Sequence, residues 1–484
     1  MKKISNPFRK SIFLCMVSLI AAVVFIPSAY AEWTAVDLPG VSSDWRLYDV
    51  YFASPDEGWA VGEDGGSTGK SLFLHYLNGT WTSTSMDPYQ SLRGIHFTSS
   101  NEGWAVGAWS DPADQALFHY SDGTWTSVAS PDVSSDWMLF GVYFAKSNDG
   151  WAVGADWFNK RGVLLHYSNG SWASVTPPDV SSDWVLSGVH FTSPKEGWAV
   201  GADYVNARGV LFYYSNSSWT SVLPPPVSAS WDLWDLRGVC FTSSNEGWAV
   251  GMSYTDSVYD GVLLHYSNGT WTFIVPPDVS SDWVLLGVHF TSPSEGWAVG
   301  RDYANKAGIL LHYSNGTWTS VSPPSVSTSW DLRGVFFASS NEGWAVGIDH
   351  TNNKGVLLKY FTAPVPDLTG QWSSLIQTCK TSKTTKCKIT GSLIIQNVGT
   401  LNASSSRVNF YLSDDAVYDE GDTFLKSVST GSIKAGASKT KKLSYSLPVD
   451  ESATGRYIIA VIDADNGVAE SNEGNNQVVF GPIP

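Results

Sequence analysis

Apolar and polar positions along this chain do not recur with a helical period. From about residue 45 to residue 360 they fall into short runs rich in Val, Phe, Tyr, Trp and Thr, each closed by Gly, Asn, Ser or Pro. That is the pattern of short strands joined by tight turns. One unit reads Ser187-Gly-Val-His-Phe-Thr-Ser193, Glu196-Gly-Trp-Ala-Val-Gly201, Gly209-Val-Leu-Phe-Tyr-Tyr214 and Ser218-Trp-Thr-Ser-Val222. The hexapeptide Glu/Asp-Gly-Trp-Ala-Val-Gly recurs seven times, with its Trp at 59, 104, 151, 198, 248, 297 and 344. A period in the forties signals a repeat architecture. Asn-Gly at 169–170, 268–269 and 315–316 predicts a hairpin between the third and fourth strands of each unit. Four antiparallel strands in each of seven units predict a seven-bladed β-propeller. The last unit, ending Gly355-Val-Leu-Leu-Lys-Tyr360, lacks a fourth strand, and Trp33-Thr-Ala-Val36 is predicted to supply it and close the ring.

Composition adds a cause for an anomaly. The 484 residues include 24 Trp. Seven lie in the Gly-Trp-Ala-Val-Gly strands, and seven more open the fourth strands at 33, 81, 125, 172, 219, 271 and 318, where large rings would fill the wedges between radiating sheets. The repeat, with its third strands and its turns ending Thr-Trp, resembles the BNR/Asp-box propellers, and most of all the photosystem II stability/assembly factor-like branch. Its turns are shorter than a full Asp-box, as in Ser121-Asp-Gly-Thr-Trp125. The resemblance therefore implies the fold rather than an activity.

Residues 1–31 read as a secretory signal peptide: Lys2, Lys3, Arg9 and Lys10 lead, an apolar run follows from Ile12 to Ile26, and Ala29-Tyr30-Ala31 ends it. The mature protein is expected to be secreted, periplasmic or on the cell surface, monomeric, and without a membrane span. Cys379 and Cys387 predict a disulfide across a hairpin, and Cys240 a small buried hydrophobe. After a propeller over 32–361 and a Pro-rich linker over 362–366, residues 367–484 show strand runs at Ser392–Gln396, Val408–Leu412 and Tyr457–Val461, which predict a sandwich. With Asn397-Val-Gly399, Phe410-Tyr-Leu-Ser-Asp414 and Glu470-Ser-Asn-Glu-Gly-Asn-Asn476, this segment resembles the CARDB family of bacterial cell-adhesion-related Ig-like domains. The resemblance implies a non-catalytic accessory module. The fold class is thus all-β.

The chain carries 29 Lys+Arg against 45 Asp+Glu, a net charge of −16. Residues 32–362 hold 14 basic and 33 acidic groups, which excludes a nucleic-acid partner. Positions that vary among blades are candidates for ligand contact. Entry loops carry Trp45, Trp137, Trp184, Trp283 and Trp330, and the loops from second to third strand carry Asp156-Trp157, Asp203-Tyr204 and Asp302-Tyr303. Both sets fall on one face, where aromatic faces beside carboxylates suit sugar rings; the rival reading has the Trp capping the core. Arg93, Arg237 and Arg333 precede the first-strand Gly near the channel mouth and would clamp a carboxylate. Sialidase-like propellers use arginines in this way, so a glycoside-hydrolase-like enzyme is one alternative. An assembly factor for a basic protein partner is another. No catalytic set stands out. The favoured reading is a non-catalytic binding or adhesion protein for a glycan or an extracellular or periplasmic protein. His75, His119, His166, His265 and His312 are read as repeat scaffolding. Asp415, Asp419, Asp422 and Asp463 form a candidate Ca²⁺ set, the one cofactor expected.

Overall fold

The computed structural model describes residues 31–484 except 39–40, 66–69, 88–90, 109–116, 228–232, 363–364, 420 and 471; the predicted signal peptide lies outside the described residues. Residues 31–362 and 363–484 form two compact units. Among the described residues no helix is long and apolar enough to cross a membrane.

The first unit is a seven-bladed propeller of four-stranded antiparallel sheets. The innermost strands are Trp45–Ser54, Ser91–Ser99, Trp137–Lys146, Trp184–Ser193, Leu233–Ser243, Trp283–Ser292 and Trp330–Ser339, and we number the blades one to seven in that order. Each inner strand touches the next around the ring, including the last with the first. The strand Ala31–Ala35 pairs with Lys354–Thr362, setting Trp33 opposite Tyr360, so blade seven takes its outer strand from the beginning of the chain.

The recurrent hexapeptide builds the seams. Its Gly leaves room for a phenylalanine ring of the same blade: a Cβ at Gly150 would fall 2.5 Å from Phe144. Its Trp lies flat against that Phe in the following blade and edge-on to that blade's outer-strand Trp, as in Trp104–Phe144 (5.3 Å, 6°) and Trp104–Trp172 (5.3 Å, 84°). Its acid takes the third-strand histidine of the same blade: His119 Nε2 lies 2.7 Å from Glu102 and His166 Nε2 2.9 Å from Asp149. Tyr213 and Lys359 replace the histidine on Glu196 and Glu342. The five histidines therefore serve the blades.

The Asn-Gly turns have positive φ at both residues, as at Asn169 (52°) and Gly170 (82°). Blade four has Asn216-Ser217 there, holding Ser217 at φ 63°. A side chain in the left-handed region costs roughly 1 kcal/mol, so Ser217→Gly should raise stability by about 1 kcal/mol, read from the urea midpoint.

The inner strands also close the channel. One position of each strand presents Tyr51, His96, Tyr143, His190, Cys240, His289 and Phe336 in blade order. Their rings pack in a belt: Phe336–Tyr51 4.6 Å, Tyr51–His96 4.8 Å, His96–Tyr143 4.3 Å, Tyr143–His190 4.5 Å and His289–Phe336 4.3 Å. Cys240 is buried, as its apolar neighbours foretell.

The second unit packs the sheet Leu368–Thr381, Thr385–Asn397 and Ser438–Ser446 against the sheet Thr423–Ser429, Arg407–Ser413, Tyr457–Val461 and Gln477–Phe480. Ile389, Leu393, Val408, Phe410, Leu443 and Ile458 fill its core. Cys379 and Cys387 face each other across the first hairpin and form the disulfide. Buried Asn397 accepts from Asp367 N and Gly399 N and donates to the carbonyls of Leu401 and Ile433, which explains the Asn-Val-Gly signature. The stretch read as a linker is partly tied in, since the Val365 carbonyl accepts from Thr400 N and Leu401 N.

Candidate functional site

Five entry-loop tryptophans expected on an open face are instead buried. Trp45, Trp137, Trp184, Trp283 and Trp330 are 2 to 9 % exposed. For four of them, and for Trp234 in blade five, the cause is the third-strand glycine of the preceding blade, which leaves a slot for the ring. A Cβ at Gly162 would fall 2.3 Å from Trp184, at Gly209 2.5 Å from Trp234, at Gly261 2.3 Å from Trp283, at Gly308 2.4 Å from Trp330, and at Gly355 2.1 Å from Trp45. These rings bolt one blade to the next, and of them Trp283 alone shows an edge to the groove described below.

The loop aspartates are also spent internally. Asp156 accepts from Ser134 Oγ (2.7 Å), Asn159 N (2.9 Å) and Asn159 Nδ2 (2.8 Å). Asp203 accepts likewise from Ser181 and Asn206, and Asp302 from Ser280 and Asn305. Asp349 repeats the clamp in blade seven. For Asp156, Asp203 and Asp349 burial alone would raise the pKa, but these hydrogen bonds hold it below the usual carboxylate range. They are turn clamps rather than acceptors for sugar hydroxyls.

In blades three, four and six the residue after the clamp carries an exposed aromatic side chain, whereas in blade seven His350 bonds to Asp331. Trp157 N, Tyr204 N and Tyr303 N donate to the carbonyls of Asp136, Asp183 and Asp282, which fixes their backbone. Their side chains stand out at 40, 37 and 37 % exposure. Phe158 is exposed beside them; among the described residues of the propeller, only Phe361 is an exposed aromatic elsewhere. Blade five has a longer hairpin, Glu246–Thr255 with Val258–Ser267, whose Tyr254 and Tyr259 pack at 4.8 Å, and Tyr259 meets Tyr303 at 5.4 Å. Tyr259 was missed in the sequence because it belongs to an insertion that the repeat does not align. A groove of ≈ 560 Å³ lined by Ser253, Thr255, Asp260, Phe273, Pro277 and Trp283 uses the alternate positions of the same hairpin, and neither Tyr254 nor Tyr259 lines it.

The three arginines do converge. Arg93, Arg237 and Arg333 line one cavity of ≈ 180 Å³ at the channel, together with Tyr48, Phe140, Ser187 and Leu286 from the equivalent positions. Tyr48 lies between the Arg93 and Arg333 guanidiniums, 3.8 and 5.5 Å from its ring centre. Asp235 braces Arg237 through Nε (3.3 Å) and Nη2 (2.8 Å), and Asp331 braces Arg333 at 3.2 and 3.0 Å. Asp331 also takes His350 at 2.9 Å, and Arg301 lies 3.7 Å away. Burial would push Asp331 up, but His350 and Arg333 hold its carboxyl below the usual range. Asp49 occupies the position of the inner-strand glycine in the other six blades. Its carboxyl accepts from Val50 N and Ile95 N, yet burial pushes its pKa up to about 7.

In the C-terminal unit the expected calcium set is not assembled. Asp415 and Asp419 each cap a local turn, at Val417 N and Gly421 N, and Asp422 accepts from Asp419 N. Asp463 instead meets Glu470 and Glu473, their oxygens within 4.8 Å of one another. The hairpin aspartates were grouped with Asp463 on composition, whereas the fold brings it the two acids of Glu470-Ser-Asn-Glu473.

Comparison with known proteins adds the following. The CARDB family model matches residues 365–480, so the C-terminal unit is a CARDB domain. No curated protein matches the chain. The CARDB domain of a Pyrococcus furiosus protein, solved in complex with di-metal ions, is 23 % identical over 24 % of this chain and 85 % of its own, at a TM-score of 0.18. The polysaccharide lyase Uly1 is 8 % identical over 68 % of this chain and 94 % of its own (TM-score 0.44). A puromycin-hydrolyzing peptidase of Mycobacterium tuberculosis is 10 % identical over 76 % of this chain and 61 % of its own (TM-score 0.42).

Proposed function

We propose that this is an exported, non-catalytic binding protein whose propeller holds a glycan on the loop face while the CARDB domain serves as an adhesion-related accessory module. The observation that carries this reading is the crown of Trp157, Tyr204 and Tyr303. Their backbones are fixed by the entry loops while their rings stay open, and the Tyr254–Tyr259 pair extends this aromatic surface at Tyr303. Exposed rings held by a rigid scaffold bind at little ordering cost, and sugar C–H faces stack on them. The disulfide and the CARDB domain support an extracellular setting.

A glycan array probed with the full chain tests the reading. Hits are expected, and the triple replacement Trp157→Ala, Tyr204→Ala and Tyr303→Ala should remove at least nine-tenths of the signal without lowering the melting temperature. A blank array would defeat the glycan reading and turn attention to a protein ligand.

A further inference from the structure

The first sheet of the C-terminal unit carries charge of one sign. Its strands Leu368–Thr381, Thr385–Asn397 and Ser438–Ser446 hold Lys380, Lys386, Lys388, Lys439, Lys441 and Lys442 and no Asp or Glu. Lys383 sits in the turn between the first two. The unit's two arginines are paired, Arg456 with Asp414 (2.6 Å) and Arg407 with Asp465 (3.9 Å). Among the described residues none of these lysines forms an ion pair.

In the middle strand exposed Lys386 and Lys388 alternate with buried Cys387 and Ile389, so both point outward. The register sets Lys380 opposite Lys386, Thr378 and Ser446 beside Lys388, and Lys442 opposite Ser392, all on that outer face. Like charges directly across a sheet are destabilising, and the adjacent disulfide Cys379–Cys387 holds the two strands together at this point. On the edge strand, burial first and the Lys439 charge second hold the Lys441 ammonium below the usual lysine range. The acids adjoining this end are Asp450, whose carboxyl accepts from Thr385 N (2.7 Å), and Glu451 next to it; neither pairs with a lysine among the described residues. At about 3.3 Å per residue, Lys380 lies about 40 Å along its strand from Leu368, the end at which the chain enters the unit.

Protein–protein interfaces are poor in lysine and rich in aromatic residues and arginine. These three strands have no arginine and no exposed aromatic residue. Ile376, opposite Thr390 on the outer face, is 57 % exposed. An exposed apolar side chain gives nothing to a hydrated phosphate polymer, but it fits the boundary between headgroups and acyl chains.

We infer that the outer face of this sheet docks on a bilayer surface carrying anionic headgroups, with its lysines over the headgroups and Ile376 at their inner boundary. This is a second surface, independent of the glycan reading.

Co-sedimentation of the full chain with lipid vesicles tests it, one set of phosphatidylcholine alone and one with a third of the lipid replaced by phosphatidylglycerol. The anionic set should take up the protein a hundredfold or more better at about 0.1 M salt, and the difference should vanish at about 1 M, where the Debye length falls from about 10 Å to about 3 Å. Lys380→Gln, Lys386→Gln and Lys388→Gln together should remove most of that preference, roughly fivefold for each charge lost, with the melting temperature unchanged. Lys146→Gln, Lys160→Gln and Lys195→Gln, at exposed lysines of the propeller, remove the same charge and should change uptake less than twofold. Equal uptake by both vesicle sets, or uptake that the two triple variants lower alike, overturns the inference. So does capture of the protein by soluble polyphosphate without uptake by the anionic vesicles, which would make the face a polymer site.

Discussion

Acidification is expected to unfold the propeller well above the pH at which carboxylates titrate. His96, His190 and His289 are buried in the channel belt, and burial, with the neighbouring histidines adding to it for the first two, pushes their pKa values down to about 3, 3 and 4. Nδ1 of His96 and of His190 has no hydrogen-bond partner, so a proton there finds no acceptor. The folded state keeps three neutral imidazoles while the unfolded chain binds protons below about pH 6.5. The sign follows: this stability is complete above about pH 6.5 and falls as pH drops toward the folded values. Three sites at 1.36 kcal/mol each give a limiting slope of about 4 kcal/mol per pH unit. Asp49, with its pKa raised to about 7, works the other way, gaining stability as pH falls from 7 toward 4, and Asp235, also raised by burial, acts in the same sense, but they are two groups against three. The urea midpoint, followed by Trp emission at pH 7.5, 6 and 5, should fall steeply; Trp372 is the single Trp after the propeller. His96→Tyr and His190→Tyr should each flatten the dependence by about a third, since Tyr51 and Tyr143 show that the position accepts tyrosine. A midpoint that does not move between pH 7.5 and 5 would refute the account of the belt.

Loss of the closing strand should have a comparable effect. Trp33 is 4 % exposed and meets Trp297 edge-on at 5.3 Å, Phe337 at 5.7 Å and Tyr360 at 5.3 Å, filling the seam that an outer-strand Trp fills elsewhere. Its strand also pairs with the backbone of residues 358–362 and covers that edge. Trp33→Ala should cost about 3–5 kcal/mol, the usual range for emptying a packed aromatic site. Removing residues 31–38 should lower the melting temperature further, because ring closure is lost as well as a side chain. Trp33→Phe, which retains one ring, should fall between wild type and Trp33→Ala. If Trp33→Ala stays within 1 kcal/mol of wild type, blade seven is not closed as described.

The blades were legible in the sequence because each seam is made by the same residues at the same spacing. Trp104, Phe144 and Trp172 meet at one seam, and their counterparts meet at the others. The missing outer strand could be found by counting. The site was harder to read, because a residue's type does not say whether its partners have already consumed it. Asp156, Asp203 and Asp302 looked like free acceptors, although each is followed three residues on by Asn159, Asn206 or Asn305 and preceded by a serine twenty-two residues earlier. That Ser…Asp-x-x-Asn spacing is itself a turn signature. The entry tryptophans failed as ligand candidates for a related reason: Gly162 and Gly308, remote in sequence from Trp184 and Trp330, are the slots they fill. The arginines were found because they break the repeat, and a break is information that the blade does not need.

Amide hydrogen exchange on the full chain, alone and saturated with its best array glycan, tests the central claim most directly. The account predicts added protection at 157–159, 203–206, 254–259 and 302–305. Protection centred instead on the opposite face, at the turns between first and second strands such as 54–57, 193–196 and 292–295, would contradict it.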